Sequence, residues 1–494
     1  MRLEMPSKID APVYHLETLE ENGLLLFYES NEINDEGNRR WYFSLYNTQL
    51  EEEWLQFVAL KDGMVFKDLQ KKDKWVYMLF YLSEKNKDNL PGFQLLTFNT
   101  EDDSFSLFSG SLPDKAEIFG FELGIKHALI MLNLKRYQTD ALMLNLSDGS
   151  LKSIPLQTLD QCIPQALTYD QATGYFILAL KQYESNRFDS DLFLVLDEAG
   201  NEMLRYVFND PQERFLHSFV FHFDEEGSLV VIGSYNDRDR RDQRISEGST
   251  DVQNEAVGLF FISLTGQGVN IHNHYDFKNF TDIYSSLSVQ DLMRARQRQA
   301  RSRRESTDVP IHVAFQFYGQ QLINQQATLI YAAEAFRPQY RTETRMEYDF
   351  YGRPIPYTYT IFEGYNFFNY LMAGFDKQGK LIWNNDFEMR DMLSYNLKDN
   401  ILAFPDSSTI LLAYNNNGRI TSKMISQDQT IGAVEQIRND TFYPTDRIQE
   451  ENFSGIKHWY DHYFITYGYQ RIANNRLREN NLRSVFYINK LAFD

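Results

Sequence analysis

Eight short apolar runs recur along this chain at intervals of about fifty to ninety residues, a period that belongs to repeat architectures. They are Leu24–Tyr28, Trp75–Tyr81, Ala128–Leu132, Tyr175–Leu180, Leu229–Ile232, Ala327–Tyr331, Thr409–Tyr414 and His462–Tyr467. Their length, their β-branched and aromatic residues and the Asp, Asn or Gly around them mark strands rather than helices. The 38 Phe and 31 Tyr point the same way. One strand pair cannot bury its own apolar face in water, so the copies must pack on one another. An all-β fold built radially from repeats is what this spacing allows.

Each unit parses into four antiparallel strands, A to D. In the fourth these are Gln165–Tyr169, Tyr175–Leu180, Asp191–Leu196 and Glu202–Phe208. Turns at 170–174 and 197–200, with like ones at 147–149, 224–227, 265–268 and 376–379, carry the Asp and Gly that supply local hydrogen bonds and positive φ. The pattern resembles a β-propeller, and the resemblance covers residues 1–494 as a single domain. Eight blades are expected, with seven as the alternative because units six and seven are irregular. The last unit has A near Gly455–Trp459 and C at Ser484–Ile488, which leaves little chain for D. The segment Met1–Ile9 is expected to supply that strand and latch the ring.

Strand parity then sorts the connections. A–B and C–D turns lie on one face, while B–C loops and D–A crossovers lie on the other. The tight turns belong to the first face. The long insertions, at 236–255, 278–309, 336–366, 438–452 and 471–483, belong to the second. Long connections are where function concentrates, so the elaborated face is expected to be the working one.

A formal charge of −20, spread along the chain, argues against nucleic acid or an anionic membrane as a general partner. No stretch reaches the ~20 apolar residues of a membrane-spanning helix. The single cysteine, Cys162, excludes an internal disulfide and reads as a small buried hydrophobe. The first ten residues lack the apolar core of a signal peptide, which reads as cytoplasmic. A chain whose export signal had been removed would look the same and would sit in the periplasm or envelope.

Two insertions stand out. Residues 288–304 are helix-prone and carry Arg294, Arg296, Arg298, Arg301, Arg303 and Arg304, so 278–309 is expected to be a helical or disordered Arg-rich insertion between blades five and six. Arginines pair bidentately with carboxylates, which fits a protein partner with an acidic surface; a solvated insertion is the plainer reading. Residues 348–365 crowd Tyr348, Tyr351, Arg353, Tyr357, Tyr359 and Tyr365 around two prolines. Tyr with Arg is the composition of binding hot spots. The other reading is a strand pair packed on its own blade, favoured in part by the alternation at 357–360.

Other chemistry is sparse. His272 and His274 share a strand face, and His458 and His462 lie four apart, but neither pair has a third ligand nearby in sequence. These, with His217 and His222, read as hydrogen-bonded histidines, so no metal and no cofactor is expected. The charge-dense run 237–244 mixes both signs: its aspartates are spaced like calcium ligands, but it lacks the glycine of a calcium loop and its arginines would oppose a cation. No nucleophile elbow, phosphate loop, dinucleotide fingerprint or zinc-protease motif occurs, and no catalytic residue is assigned. Carboxylates at Glu343, Glu347, Asp349 and Glu363 leave glycan binding or glycoside hydrolysis as the alternative.

The element Ala373–Trp383 resembles the turn-and-tryptophan unit of quinoprotein-type propellers, in which Trp docks on the next blade. Here Asp376 sits one place off that spacing and one unit alone carries the Trp, so quinone chemistry is not implied. The Tyr-, Phe- and Asn-rich texture is similar to propellers of bacterial envelope, secretion and gliding assemblies. That resemblance implies a non-enzymatic scaffold docking a partner protein through its long-loop face.

Overall fold

The computed structural model describes all residues except 10–12, 85–88, 237–254, 281–292, 294–314, 349, 477–480 and 494. Its strands form eight antiparallel sheets, seven of four strands and one of five. In chain order the sheets take residues 14–61, 65–111, 117–154, 161–208, 215–276, 315–394, 401–438 and 447–492, the last completed by 2–6. These are blades one to eight of a β-propeller, and the seven-bladed alternative falls away. All eight apolar runs are B strands, the second strand of each blade. A strand paired on both edges and covered on both faces reads as a continuous apolar run, which is why these were visible first.

The blades are joined by apolar cores at their seams. Phe27, Trp41 and Phe43 of blade one pack with Met78, Phe80 and Phe98 of blade two, and comparable clusters follow at each seam to blade seven. Trp383 docks on blade seven through this packing, beside Ile410 and Leu412. At the seam of blades eight and one, Leu24 and Leu26 meet Trp459, Ile465 and Phe486, and Trp459 Nε1 donates to Gly23 O at 3.0 Å. The ring is therefore closed.

The seam between blades seven and eight differs. Its buried apolar cluster is small, centred on Ala413, Ile420 and Ile456. A polar network fills the space instead. Asn439 Nδ2 donates to Asn415 Oδ1 at 2.7 Å and to Tyr487 Oη at 3.2 Å, while Thr466 Oγ1 donates to Asn439 Oδ1 at 3.1 Å. Tyr487 in turn donates to Glu451 at 2.5 Å.

The D strand of blade eight is Arg2–Pro6, paired with Leu482–Ala492 in the register Arg2↔Asn489 to Pro6↔Val485. The expected latch is thus formed. Arg2 anchors it, donating to Gln470 Oε1 and Asp440 O, each at 2.8 Å, with its guanidinium 4.6 Å from the Tyr487 ring centroid. Turns on the plain face repeat one device. In blades four, five and six an aspartate carboxylate (Asp197, Asp224, Asp376) accepts two backbone N–H groups, and a positive-φ glycine (Gly200, Gly227, Gly379) closes the turn.

Candidate functional site: the long-loop face and the blade-six ribbon

The segment 336–366 is a projecting ribbon rather than a loop. Strands Thr328–Tyr348 and Pro354–Phe375 stay paired far beyond blade six, from Phe336↔Phe367 out to Tyr348↔Pro354. Self-packing on the blade is ruled out over most of its length, since residues 339–348 and 354–360 are almost all exposed. Threonines, tyrosines and isoleucine at alternate positions suit a twisted two-stranded ribbon, and Gly352 supplies the positive φ of its tip.

Cross-strand register gives the ribbon two unlike faces. One carries the pairs Tyr340/Phe362, Thr342/Thr360, Thr344/Thr358, Met346/Pro356 and Tyr348/Pro354, without a charge among them. The other carries Arg341/Ile361, Glu343/Tyr359, Arg345/Tyr357 and Glu347/Ile355. There Arg345 binds Glu343 at 3.0 Å and lies 6.0 Å from the Tyr359 ring, while the Tyr359 hydroxyl donates to Glu347.

The sequence-derived residues distribute over these surfaces. Tyr357 and Tyr359 share the charged face, and Tyr348 lies on the uncharged one. Tyr351 and Arg353 occupy the tip, with the guanidinium 5.9 Å from the ring. Tyr348, Phe350 and Tyr351 there are 73%, 97% and 79% exposed. Tyr365 sits at the base, edge-on to Phe336 and Phe362. The site residues Arg294, Arg296, Arg298, Arg301, Arg303 and Arg304, most of the 278–309 insertion, and Asp349 lie outside the described residues.

Beside the ribbon base, between blades six, seven and eight, lies a cleft of about 480 Å³ lined by Ser394, Tyr395, Lys398, Asn417, Glu451 and Phe453, among others. Lys398 donates to Ser454 O at 2.6 Å. Burial pulls its ammonium down to about 8, against the opposite pull of Glu334 and Glu451. Glu334, on the cleft's inner side, accepts from Asn400 N, Asn400 Nδ2 and Ile401 N at 2.6, 2.8 and 2.7 Å. It ties blade six to the crossover into blade seven.

A second charged region was not anticipated. A strands of neighbouring blades meet around the ring axis. They bring together Glu17, Asp68, Glu122 and Lys457, beside a cavity of about 350 Å³ that His15, Glu17, Asp68 and Lys457 help to line. Burial alone would raise Glu17, yet Lys457 and Lys71 hold it below its usual range. At Glu122 burial, with Asp68 pushing the same way, outweighs hydrogen bonds from Gln70 and the Tyr169 backbone and lifts the carboxyl to about 7. A glutamate that titrates near 7 when folded and near 4.5 when free costs stability as pH rises between those values, and costs nothing below them. Glu122→Gln is therefore expected to stabilise the protein by about 2–3 kcal/mol at pH 8 and by little at pH 4. Denaturant titrations at both pH values measure this; equal midpoints for variant and wild type at pH 8 would refute it.

The histidines mostly read as expected. Buried His217 bonds Ser234 Oγ at 2.9 Å and Glu255 O at 3.2 Å, and His458 bonds Asp461 O at 2.9 Å. Cys162 is buried, which pushes its thiol up to about 11. His272 and His274 do gain a third neighbour, Asp210, from the crossover between blades four and five. Sixty-two residues separate it from His272, too far for ligand spacing to reveal.

No family model matches the chain, and no curated protein matches it. Among solved structures, the polysaccharide lyase Uly1 aligns over 86% of this chain and 89% of its own at 9% identity and a TM-score of 0.40. The WD40 domain of SCAP from fission yeast aligns over 99% and 97%, at 9% identity and a TM-score of 0.38. The propeller domain of the trilobed protease from Pyrococcus furiosus aligns over 87% and 98%, at 9% and 0.34. Likenesses this distant assign no activity. The class, an eight-bladed β-propeller, rests on the eight sheets themselves.

Proposed function

We propose that this protein is a non-enzymatic scaffold that docks a partner protein on its long-loop face, with the blade-six ribbon as the principal contact. The ribbon carries this reading. Its tip presents three exposed aromatic rings, and one of its two faces is free of charge over five cross-strand pairs. Rigid aromatics held on paired backbone give contact area at little entropic cost and supply the desolvated anchors of interfaces. Arg294, Arg296, Arg298, Arg301, Arg303 and Arg304 are proposed to add charge pairing with carboxylates of the same partner. A place in a bacterial envelope or secretion assembly is the setting proposed, on the composition alone.

The test replaces residues 339–364 by Asn-Gly, joining Pro338 to Tyr365, which already pair across the ribbon. The blade keeps its own pairing, so the fold should hold within a few degrees of Tm. Partners crosslinked in the native cell by the wild type should be lost, and Tyr348→Ser with Phe350→Ser should weaken them by about 2 kcal/mol or more. An unchanged set of crosslinked partners would overturn the reading.

One observation favours a second reading. The cleft beside the ribbon combines Asn and Ser side chains with Tyr395, Lys398 and Glu451, a lining suited to sugar hydroxyls and ring faces. Glycan-array binding that survives ribbon removal and is lost in Tyr395→Ala would favour it.

A further inference from the structure

We infer that Asp210, His272 and His274 form a transition-metal site that clasps blades four and five together. The histidines lie on the outer strand of blade five, Gly268–Asp276, two residues apart and hence on one face. Their neighbours Asn273 and Tyr275 point the other way, toward blade six, where both donate to Gly379 O. The imidazoles therefore face blade four, whose last strand ends at Phe208 just before Asp210. Phe208 meets the His272 ring edge-on at 5.6 Å, closing that side with an apolar wall.

Three potential ligand atoms, one from each residue, lie within 4.8 Å of one another, and no other group of three gathers so among the described residues. Asp210 Oδ2 is 2.9 Å from His274 Nε2 and 3.9 Å from His272 Nε2. Ligands on a tetrahedral ion at ~2.0–2.1 Å stand roughly 3.3 Å apart, midway between these two separations. The three side chains are 1%, 15% and 6% exposed for Asp210, His272 and His274.

Hydrogen bonding leaves the group incomplete. Asp210 takes one bond from His274 and another, through Oδ1, from Gln212 N at 2.6 Å. His272 Nε2 is buried beside the carboxylate with no hydrogen-bond partner. An unpartnered imidazole nitrogen next to a buried carboxylate is a costly arrangement for a purely structural cluster and the natural donor set for a cation. Two imidazoles and one carboxylate select zinc, cobalt or nickel over magnesium or calcium. Arg214, four residues beyond Asp210, places its guanidinium over the Tyr235 ring at 4.4 Å.

The full chain, stripped with a chelator, is titrated with Zn2+ by calorimetry and with Co2+ by visible absorption, and its unfolding is followed with and without Zn2+. One equivalent should bind, Co2+ should show the intense bands of a low-coordinate site, and Zn2+ should raise Tm. Asp210→Asn keeps an acceptor for the His274 hydrogen bond, so it separates folding from ligation. That variant and His272→Asn should each bind at least ~100-fold more weakly, beyond the roughly 10–100-fold that an outer-shell loss costs. No binding by the folded wild type would overturn the assignment. So would equal affinity in a folded His272→Asn/Asp210→Asn double variant, which would place the ion elsewhere.

Discussion

A chain lacking residues 1–6 is expected to lose about 5 kcal/mol of stability, a large part of what an ordinary domain has. The loss has three sources. The strand Leu482–Ala492 loses its outer partner over five residue pairs, leaving a row of open backbone groups. Leu3 and Met5 leave the core at the seam with blade one, at roughly 1 kcal/mol or more each for half-buried side chains. Arg483 loses Glu4, 2.9 Å away, and among the described residues keeps Asp446 as its ion-pair partner. Guanidinium unfolding and size-exclusion chromatography would show a lower midpoint and self-association through the freed edge. A peptide of residues 1–7 added in trans should reverse part of both effects. A truncated chain as stable as the full one would show that the ring does not depend on this latch.

Asn439→Leu should cost about 3 kcal/mol or more, an unusual penalty for removing a polar side chain. Asn439 is 6% exposed and joins Asn415 and Tyr487 to Thr466 across the seam of blades seven and eight. Leucine would strand Asn415 Oδ1 and the Thr466 hydroxyl, each at roughly 1–3 kcal/mol. Little apolar packing is present to compensate, since the buried apolar cluster at this seam is small. Thermal unfolding measures the loss. A change within about 0.5 kcal/mol would mean that the network is dispensable. At a seam with a larger apolar core, a single such change should be absorbed more easily.

Much of the ring was legible because its B strands are apolar on both faces, and a run such as Tyr175–Leu180 needs no context to be read. The latch was legible by subtraction, from a last unit short of one strand. The ribbon was half legible: alternation at 357–360 marks a strand, but only the register with Arg341–Tyr348 shows that the pair leaves the blade. The axial charges were missed because attention to apolar runs passes over the A strands. A signal was present there, since Glu17, Asp68 and Glu122 each interrupt a partly apolar A strand in three successive units. The Asn439 network and the Asp210 group had none, because each joins residues from different units whose spacing follows no local rule.

The ribbon's backbone has a bearing on how anything can hold it. Beyond the blade, each of its two strands has one edge with no neighbouring strand, an invitation to add a third from another molecule. Pro354 and Pro356 bring no N–H to one edge near the tip, and Pro338 brings none near the base of the other. Strand addition is poorly served along such edges. A partner docking where those prolines fall would grasp the arm broadside, by the shape and chemistry of its side chains, and so read its sequence rather than extend its sheet.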